Sequence, residues 1–323
     1  MSADKTTVSN RKRIMYTAYG LKIESEILLP ELSLIDDKDC RQADVTITYG
    51  IVPKSLTATL QGNKYFQVSK EEFYFYIPET AHYYVGFGNT IIVEPVENAA
   101  AHSIRLFLLG SCMGMLFIHR YILAIHGGAV QIGDQGVIIT GKTGAGKSTL
   151  VSAFVKEGHK FLSDDVSVID NDSNFGIRVF PAYPQNKLCK DTMSYMGYNV
   201  KLFKQIDDSR EKYAVPLNRS FINHPIPLKF VFEIMIDNSG EDQIRAYELF
   251  GSEKVMALIN NVYRKEFYDL IGLTPVCFKQ CINVIKKIQV FRILRSANAF
   301  SVERQQEIIN ELIKKSKIMG RCV

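Results

Sequence analysis

The sequence predicts a mixed α/β and α+β protein, in which an N-terminal β-rich domain precedes an α/β domain built around a glycine-rich loop. Up to about residue 95 the chain has aromatic and β-branched runs separated by polar turns. The glycine-rich loop then follows a short apolar run and precedes a segment with helical spacing. We place the two domains at residues 1–122 and 123–323.

Length and composition are those of an ordinary globular protein. The 323 residues can bury a large core, and 46% of them are apolar. The net charge of +5 is modest and its charges are interspersed, so we expect no nucleic-acid partner. The six cysteines are scattered, and Cys277 and Cys281 lack the companions that a zinc site needs. With no signal-peptide core at the N-terminus, we expect a reduced, cytoplasmic setting.

The N-terminal region predicts strands at 45–49, 65–68, 73–77 and 90–93, followed by a helix from about residue 98 to 124. The longest apolar stretch, 106–118, is shorter than the roughly 20 residues that span a bilayer. We therefore expect a core or interdomain helix and no membrane insertion.

The loop matches the phosphate-binding pattern GxxxxGK[ST]. Its glycines allow a tight turn whose N–H groups can point at phosphate oxygens, and the helix that follows adds a favourable dipole. We expect Lys147 to contact the β- and γ-phosphates of ATP, and the Ser148 hydroxyl to bind Mg²⁺. The predicted nucleotide-binding residues are Gly141, Lys142, Thr143, Gly144, Ala145, Gly146, Lys147, Ser148 and Thr149.

Two carboxylates follow the loop helix. Asp164 and Asp165 stand between two strand-like segments, 161–162 and 166–169. Phosphoryl transfer needs one carboxylate for Mg²⁺ and another to accept the proton of an attacking hydroxyl. An isolated Asp-Asp pair is more often a solvated turn, but its place just after a phosphate loop favours the catalytic interpretation. His126 lies fifteen positions before the loop, and a lone histidine beside apolar residues is more often structural than functional.

These motifs together resemble the catalytic domain of bacterial HPr kinase/phosphorylase. The resemblance rests on His-Gly-x-x-Val-x-Ile from His126, on the loop, and on Gly-His-x-x-x-x-Asp-Asp ending at Asp165. It implies that Asp164 is the general base with His126 as its neighbour, and that Asp165 and Ser148 serve Mg²⁺. The family has Glu after the loop serine, where this chain has Thr149. The family's C-terminal Gly- and Asn-containing signature is not found.

Weaker segments along most of the chain resemble a wider set of HPr-kinase-like proteins, nearest in type to the lasso-peptide precursor kinases. The region 170–227 is expected to be polar and irregular, a lid or substrate loop. Lys187, Arg210 and Lys212 lie in it, and the resemblance favours Arg210 and Lys212 as contacts for substrate or phosphate. Beyond it the sequence predicts strands at 228–236 and 289–294, and helices at 252–263, up to about 288, and at 301–317.

These features together predict a Mg²⁺- and ATP-dependent kinase. The resemblance implies that its acceptor is a serine hydroxyl of a peptide or small protein, most specifically the C-terminal serine of a lasso-type precursor peptide. Three alternatives remain: an HPr-type kinase/phosphorylase, a nucleotide-gated binding module without transfer, and a small-molecule kinase. A homo-oligomer is among the states that the resemblance implies.

Overall fold

The structure is a computed structural model, and it describes residues 12–35, 42–53, 65–172, 175–207, 211–237, 243–296 and 302–319. The N-terminal part is an eight-stranded sheet with the order β3-β1-β2-β4-β8-β7-β6-β5. The four predicted strands are confirmed as β4, β5, β6 and β8. The strands are β1 (Ile14–Ala18), β2 (Leu21–Ser25), β3 (Ser33–Leu34), β4 (Val45–Tyr49), β5 (Phe66–Val68), β6 (Glu72–Ile77), β7 (Ala81–Gly86) and β8 (Thr90–Pro95).

The apolar helix after this sheet is interrupted. It consists of α1 (Ala101–Phe107), a π-helical turn (Leu108–Cys112) and α2 (Met113–His119), whereas the sequence predicted one regular helix. By length and composition alone, 101–119 could cross a membrane, but 56% of its most apolar window is buried within the fold. Its side chains belong to the same core as the first sheet and the start of the next one, which supports the core-helix interpretation.

The second sheet carries the glycine-rich loop. Its strands are β9 (Leu123–Ile132), β10 (Gln135–Gly141), β11 (Lys160–Ser163), β12 (Val166–Asp172), β13 (Gly176–Phe180), β17 (Ile226–Asp237), β18 (Arg245–Glu248) and β19 (Gln289–Ser296). The order is β10-β9-β12-β13-β17-β19-β18, with β11 against β9. Because β10 also pairs with β17, five of these strands form a closed circuit of pairings. Helix α3 (Lys147–Lys156) follows the loop.

The described residues of the region 170–227, namely 170–172, 175–207 and 211–227, contain strands and a short helix, so the prediction of an irregular segment was wrong there. After β13 it forms a three-stranded sheet of β14 (Gln185–Cys189), β16 (Lys212–Pro216) and β15 (Lys204–Asp207), with helix α4 (Lys190–Tyr195) and a 3₁₀ turn (Val200–Leu202). The strands are short, and β14 pairs with a strand more than twenty residues away. Local sequence patterns do not reveal such pairings.

The C-terminal elements agree with the predicted types. They are α5 (Gly251–Asn260), α6 (Lys265–Leu270), α7 (Thr274–Ile285) and α8 (Val302–Met319), besides the predicted strands now seen as β17 and β19. Cys277 and Cys281 are buried on α7 and pack in the core, as expected. A second core lies between α3, α8 and the strands β10, β17 and β19. A β-rich N-terminal part and a mixed α/β part confirm the predicted fold class.

Candidate active site

The glycine-rich loop connects the end of β10 to the start of α3. Gly141 has φ +139°, and a Cβ there would lie 2.3 Å from the backbone oxygen of Ile234 in β17. Glycine is therefore required where the loop leaves the sheet. Gly144 and Gly146 also have positive φ, so the loop turns tightly and the N-terminal N–H groups of α3 are directed to one place.

Two cations donate hydrogen bonds to the backbone carbonyls of the loop, one from within the motif and one from a strand distant in sequence. Lys147 Nζ donates hydrogen bonds to the backbone oxygens of Gly141, at 2.8 Å, and Lys142, at 3.1 Å. Arg295, buried at the end of β19, donates from Nε to the Ala145 oxygen at 3.0 Å and from an Nη to the Gly144 oxygen at 3.3 Å. These four hydrogen bonds fix the course of the loop backbone.

The aspartate pair lies at the break between β11 and β12, against β9. A Cβ at Gly128 would lie 2.9 Å from the backbone oxygen of Asp164. The Gly127 N–H donates to the backbone oxygen of Asp165 at 3.1 Å. The glycines that follow His126 therefore allow the backbone of the aspartate turn to approach β9 closely. The same contact places both carboxylates near the loop.

Asp164 is buried, with 7% of its surface exposed. Its Oδ2 accepts a 2.7 Å hydrogen bond from the Lys187 backbone N–H. Its Oδ1 has no hydrogen-bond partner of ordinary geometry in the described part of the chain, although the nearby Ser148 hydroxyl favours the ionised form. Burial, and then the charge of Asp165, raise the pKa of Asp164 from 3.8 to about 6. A carboxylate with this pKa is ionised at pH 7 yet can take up a proton, as a general base must.

Asp165 and His126 face each other. His126 Nδ1 lies 3.9 Å from Asp165 Oδ1, so the structure gives His126 the second aspartate as its neighbour, where the resemblance implied the first. Burial lowers the pKa of His126 despite the opposing effect of Asp165, which keeps the imidazole neutral at pH 7. Burial would raise the pKa of Asp165, but nearby positive charges, led by Lys187, outweigh it and lower that pKa.

Lys187 connects the aspartates to a group of tyrosines. Burial would lower its pKa, but Tyr183 and then Asp165 raise it overall, so Lys187 keeps its positive charge. Its ammonium lies near the Tyr183 hydroxyl, and the rings of Tyr183 and Tyr19 pack edge to face with their centroids 6.2 Å apart. Tyr19 belongs to the β1–β2 turn, and its backbone N–H donates to the Pro181 oxygen at 2.8 Å. The N-terminal sheet therefore contributes a side chain to the surroundings of the carboxylates.

The loop, the aspartate turn and α4 enclose a pocket of about 460 Å³. Many of the predicted site residues line it, namely His126, Thr143, Gly144, Gly146, Lys147, Ser148, Thr149, Asp165 and Lys212. Gly141, Lys142 and Ala145 belong to the loop backbone, and Asp164 lies beside the pocket near Ser148. The Thr149 hydroxyl lies 2.9 Å from that of Thr192, so this side chain joins α3 to α4. Arg210 lies outside the described residues.

Sequence reasoning missed Arg295 and Tyr19 and passed over Lys187. Arg295 had a usable signal, because it closes an apolar terminal strand where a charged residue is unexpected. Lys187 sits in a strand of alternating burial that the sequence did not predict. Tyr19 carries no recognisable signal, since its position depends on how the first sheet packs against the second.

Comparison with known proteins agrees with this geometry. Residues 121–181 match the family model described as HPr Serine kinase C-terminal domain. This segment is similar to the HPr kinase C-terminal domain. The HPr kinase-like segment contains His126, the loop and both aspartates. It ends before Lys187, Lys212 and Arg295, so the rest of the pocket is formed outside the matched region.

Individual relatives match over limited parts of their length. The HPr kinase/phosphorylase of Bacillus subtilis (strain 168) is 52% identical over 42 residues, which are 13% of this chain and 14% of that protein. The HPr kinase/phosphorylase of Lactobacillus johnsonii is 30% identical over 135 residues, 38% of this chain and 40% of that protein. The chain thus spans well under half the length of these curated relatives.

One solved structure, the Hpr(Ser) kinase/phosphatase from Coxiella burnetii, aligns at 14% identity with a TM-score of 0.29. The alignment covers 61% of this chain and 98% of that chain. A TM-score this low does not establish a common fold.

Proposed function

We propose that this protein is a Mg²⁺- and ATP-dependent kinase that phosphorylates a serine hydroxyl, specifically the C-terminal serine of a lasso-type precursor peptide. The observation that carries the proposal is the buried Asp164, whose raised pKa suits a base, directly beside the end of a phosphate loop. A module that only binds nucleotide has no need of such a carboxylate. The HPr kinase-like relatives support transfer to serine, and the wider sequence resemblance supports the peptide acceptor.

In the proposed reaction Asp164 accepts the proton of the serine hydroxyl. The serine oxygen forms a bond to the γ-phosphorus while the bond to the β,γ-bridging oxygen breaks, so ADP leaves and the proton remains on Asp164. Lys147 and the loop N–H groups hold the β- and γ-phosphates. Arg295 fixes the course of the loop backbone. Positioning and charge stabilisation supply most of the rate acceleration.

The residues near the loop fit Mg²⁺ as well as they fit a triphosphate. Mg²⁺ prefers oxygen ligands and takes only one or two from the protein when phosphates supply others. Ser148 and Asp165 offer a hydroxyl and an ionised carboxylate on the pocket wall, and the buried Asp164 carboxylate adds negative charge beside them. We assign Mg²⁺ to Ser148 and Asp165, where its charge would neutralise the phosphates.

The direct test is intact-mass spectrometry of a precursor peptide ending in serine, incubated with the protein, Mg²⁺ and ATP. We expect a gain of one phosphate that maps to the terminal serine. An otherwise identical peptide ending in alanine is the matched control and is expected to stay unmodified. Bound ATP with no change in peptide mass would contradict the peptide acceptor.

HPr is the second candidate acceptor, because the relatives of this chain bear the name HPr kinase/phosphorylase. Purified HPr belongs in the same experiment as a parallel substrate. Phosphorylation of HPr alone would move the assignment to an HPr-type enzyme. ATP binding without any phosphorylated product would favour a nucleotide-gated module.

The pH dependence of transfer should report Asp164. Since the base must be ionised and its pKa is about 6, kcat/KM is expected to rise about tenfold per pH unit below pH 6 and to level off above it. The measurement is kcat/KM for the peptide from pH 5 to pH 8 at saturating Mg²⁺ and ATP. The His126→Gln variant is expected to keep the inflection, which would exclude the imidazole as its source. A flat profile over this range would contradict the assignment of the base.

A further inference from the structure

A second cavity, of about 320 Å³, lies where the N-terminal sheet, α1 and the three-stranded sheet meet. Pro30 and Glu31 come from the β2–β3 connection of the first sheet and Leu106 from α1, while Phe203 directly precedes β15 and Ala214 lies in β16 of the small sheet. The family-model match covers only 121–181, so nearly all of this cavity is built from parts of the chain outside it.

Lys187 lines both this cavity and the nucleotide pocket. Its backbone N–H donates to Asp164 Oδ2 at 2.7 Å, and Tyr183, whose hydroxyl lies near the Lys187 ammonium, also lines the cavity. A molecule that fills the cavity therefore contacts the residue that hydrogen-bonds to the proposed base. An acceptor site must lie next to the base in this way, because the hydroxyl has to reach the base while the rest of the acceptor stays bound.

The walls of the cavity are mainly apolar, with cations among them. Leu106, Leu109, Phe203 and Ile206 present aliphatic or aromatic surface, which suits a large apolar side chain. Arg105 is already paired with Glu31, with Nε 2.8 Å from Oε1. Lys187 and Lys204 remain as further positive charges, so a basic occupant is disfavoured.

The rim of the cavity includes an apolar side chain in solvent. Leu202 lines the cavity and is 78% exposed. An exposed leucine beside an apolar cavity gives an entering apolar residue a first contact, and its burial would stabilise the complex.

We propose that this cavity is the acceptor-specificity pocket, and that it takes the apolar residue neighbouring the phosphorylated serine of a peptide. The inference rests on the proposed peptide-kinase function and assigns its specificity to residues of the N-terminal sheet, α1 and the small sheet. Transfer from ATP to the serine hydroxyl is unchanged from the step described above.

The test uses a library of serine peptides in which the residue flanking the serine is varied, with the full-length protein, Mg²⁺ and ATP. For the wild type we expect kcat/KM for Leu, Ile, Met or Phe to exceed that for Lys or Arg by about tenfold or more. The Ala214→Phe side chain fills the cavity, so this variant is expected to lose the preference for large apolar residues. It is expected to keep activity on peptides with Gly or Ala beside the serine.

Charge reversal at the rim gives a second, independent readout. Leu202→Glu is expected to raise kcat/KM for Lys and Arg flanks relative to Leu. Leu270→Glu is the matched control, since Leu270 is 60% exposed on α6 and does not line the cavity. Both positions face solvent, so KM for ATP is expected to stay at the wild-type value in both variants.

The outcomes separate the two proposals. Suppose that the wild type phosphorylates peptides, but Ala214→Phe and Leu202→Glu rank the residues beside the serine as the wild type and Leu270→Glu do. The pocket assignment is then wrong, and the kinase function stands. If the wild type binds ATP and phosphorylates no peptide in the library, the peptide-kinase function fails and the pocket assignment fails with it.

Discussion

Asp164→Asn is expected to lower kcat for phosphoryl transfer by about 10²–10⁴-fold, because the amide cannot accept the hydroxyl proton. ATP binding should remain close to that of the wild type, since the loop and Lys147 are untouched. The measurements are steady-state transfer to the serine peptide and the Kd for ATP. Asp269→Asn, at an exposed position of α6, is the matched control and should keep wild-type turnover. Near-normal turnover of Asp164→Asn would show that another group is the base.

The same variant should be more stable than the wild type at pH 7. A pKa raised from 3.8 to about 6 means that ionising Asp164 costs folding roughly 3 kcal/mol at neutral pH. Because the native state binds the proton more tightly than the unfolded state, stability falls as pH rises between these two values. Asn can still accept the Lys187 N–H bond without this cost. Chemical denaturation at pH 7 should therefore show an increase of about 1–3 kcal/mol, which shrinks towards pH 4.

Lys147→Met is expected to lower kcat/KM for ATP by about 10²–10³-fold, because it removes the charge that we propose contacts the β- and γ-phosphates. In the structure this ammonium donates to the Gly141 and Lys142 oxygens, so it already lies over the loop where phosphates would sit. The measurements are kcat/KM for ATP in peptide transfer and the Kd for ATP.

Lys156→Met is the matched control for this loss, since Lys156 is an exposed lysine in the last turn of the same helix. It should leave kcat/KM for ATP unchanged. If both lysine variants lost activity equally, the effect would come from α3 as a whole and not from a phosphate contact.

The core of the site could be predicted because its signals are local. The loop from Gly141 to Ser148 and the following helix are contiguous, and phosphate binding by backbone N–H groups requires that arrangement within eight residues. The aspartate pair and His126 were recognised by their spacing from that loop. Four of the eight strands described in the first sheet, β4, β5, β6 and β8, were likewise predictable, because alternating aromatic and β-branched runs carry a period of two.

The rest depended on contacts between distant segments. The small sheet of β14, β15 and β16 was read as an irregular loop, because its strands are held by pairing with one another rather than by their own composition. Arg295 lies 150 residues from the loop carbonyl that it binds. The raised pKa of Asp164 also depends on tertiary structure, since burial is its largest cause.

The sequence by itself determined the phosphate loop, the two carboxylates and the order of the two parts of the chain, since each is written in contiguous residues. Tertiary structure alone decided that His126 faces Asp165, that Tyr19 of the first sheet reaches Tyr183, and that Lys187 separates two pockets. The physical reason is that these relations come from strand register and from packing of the two sheets around α1 and α2. Burial and distance between remote segments then set the charges of the groups that meet there.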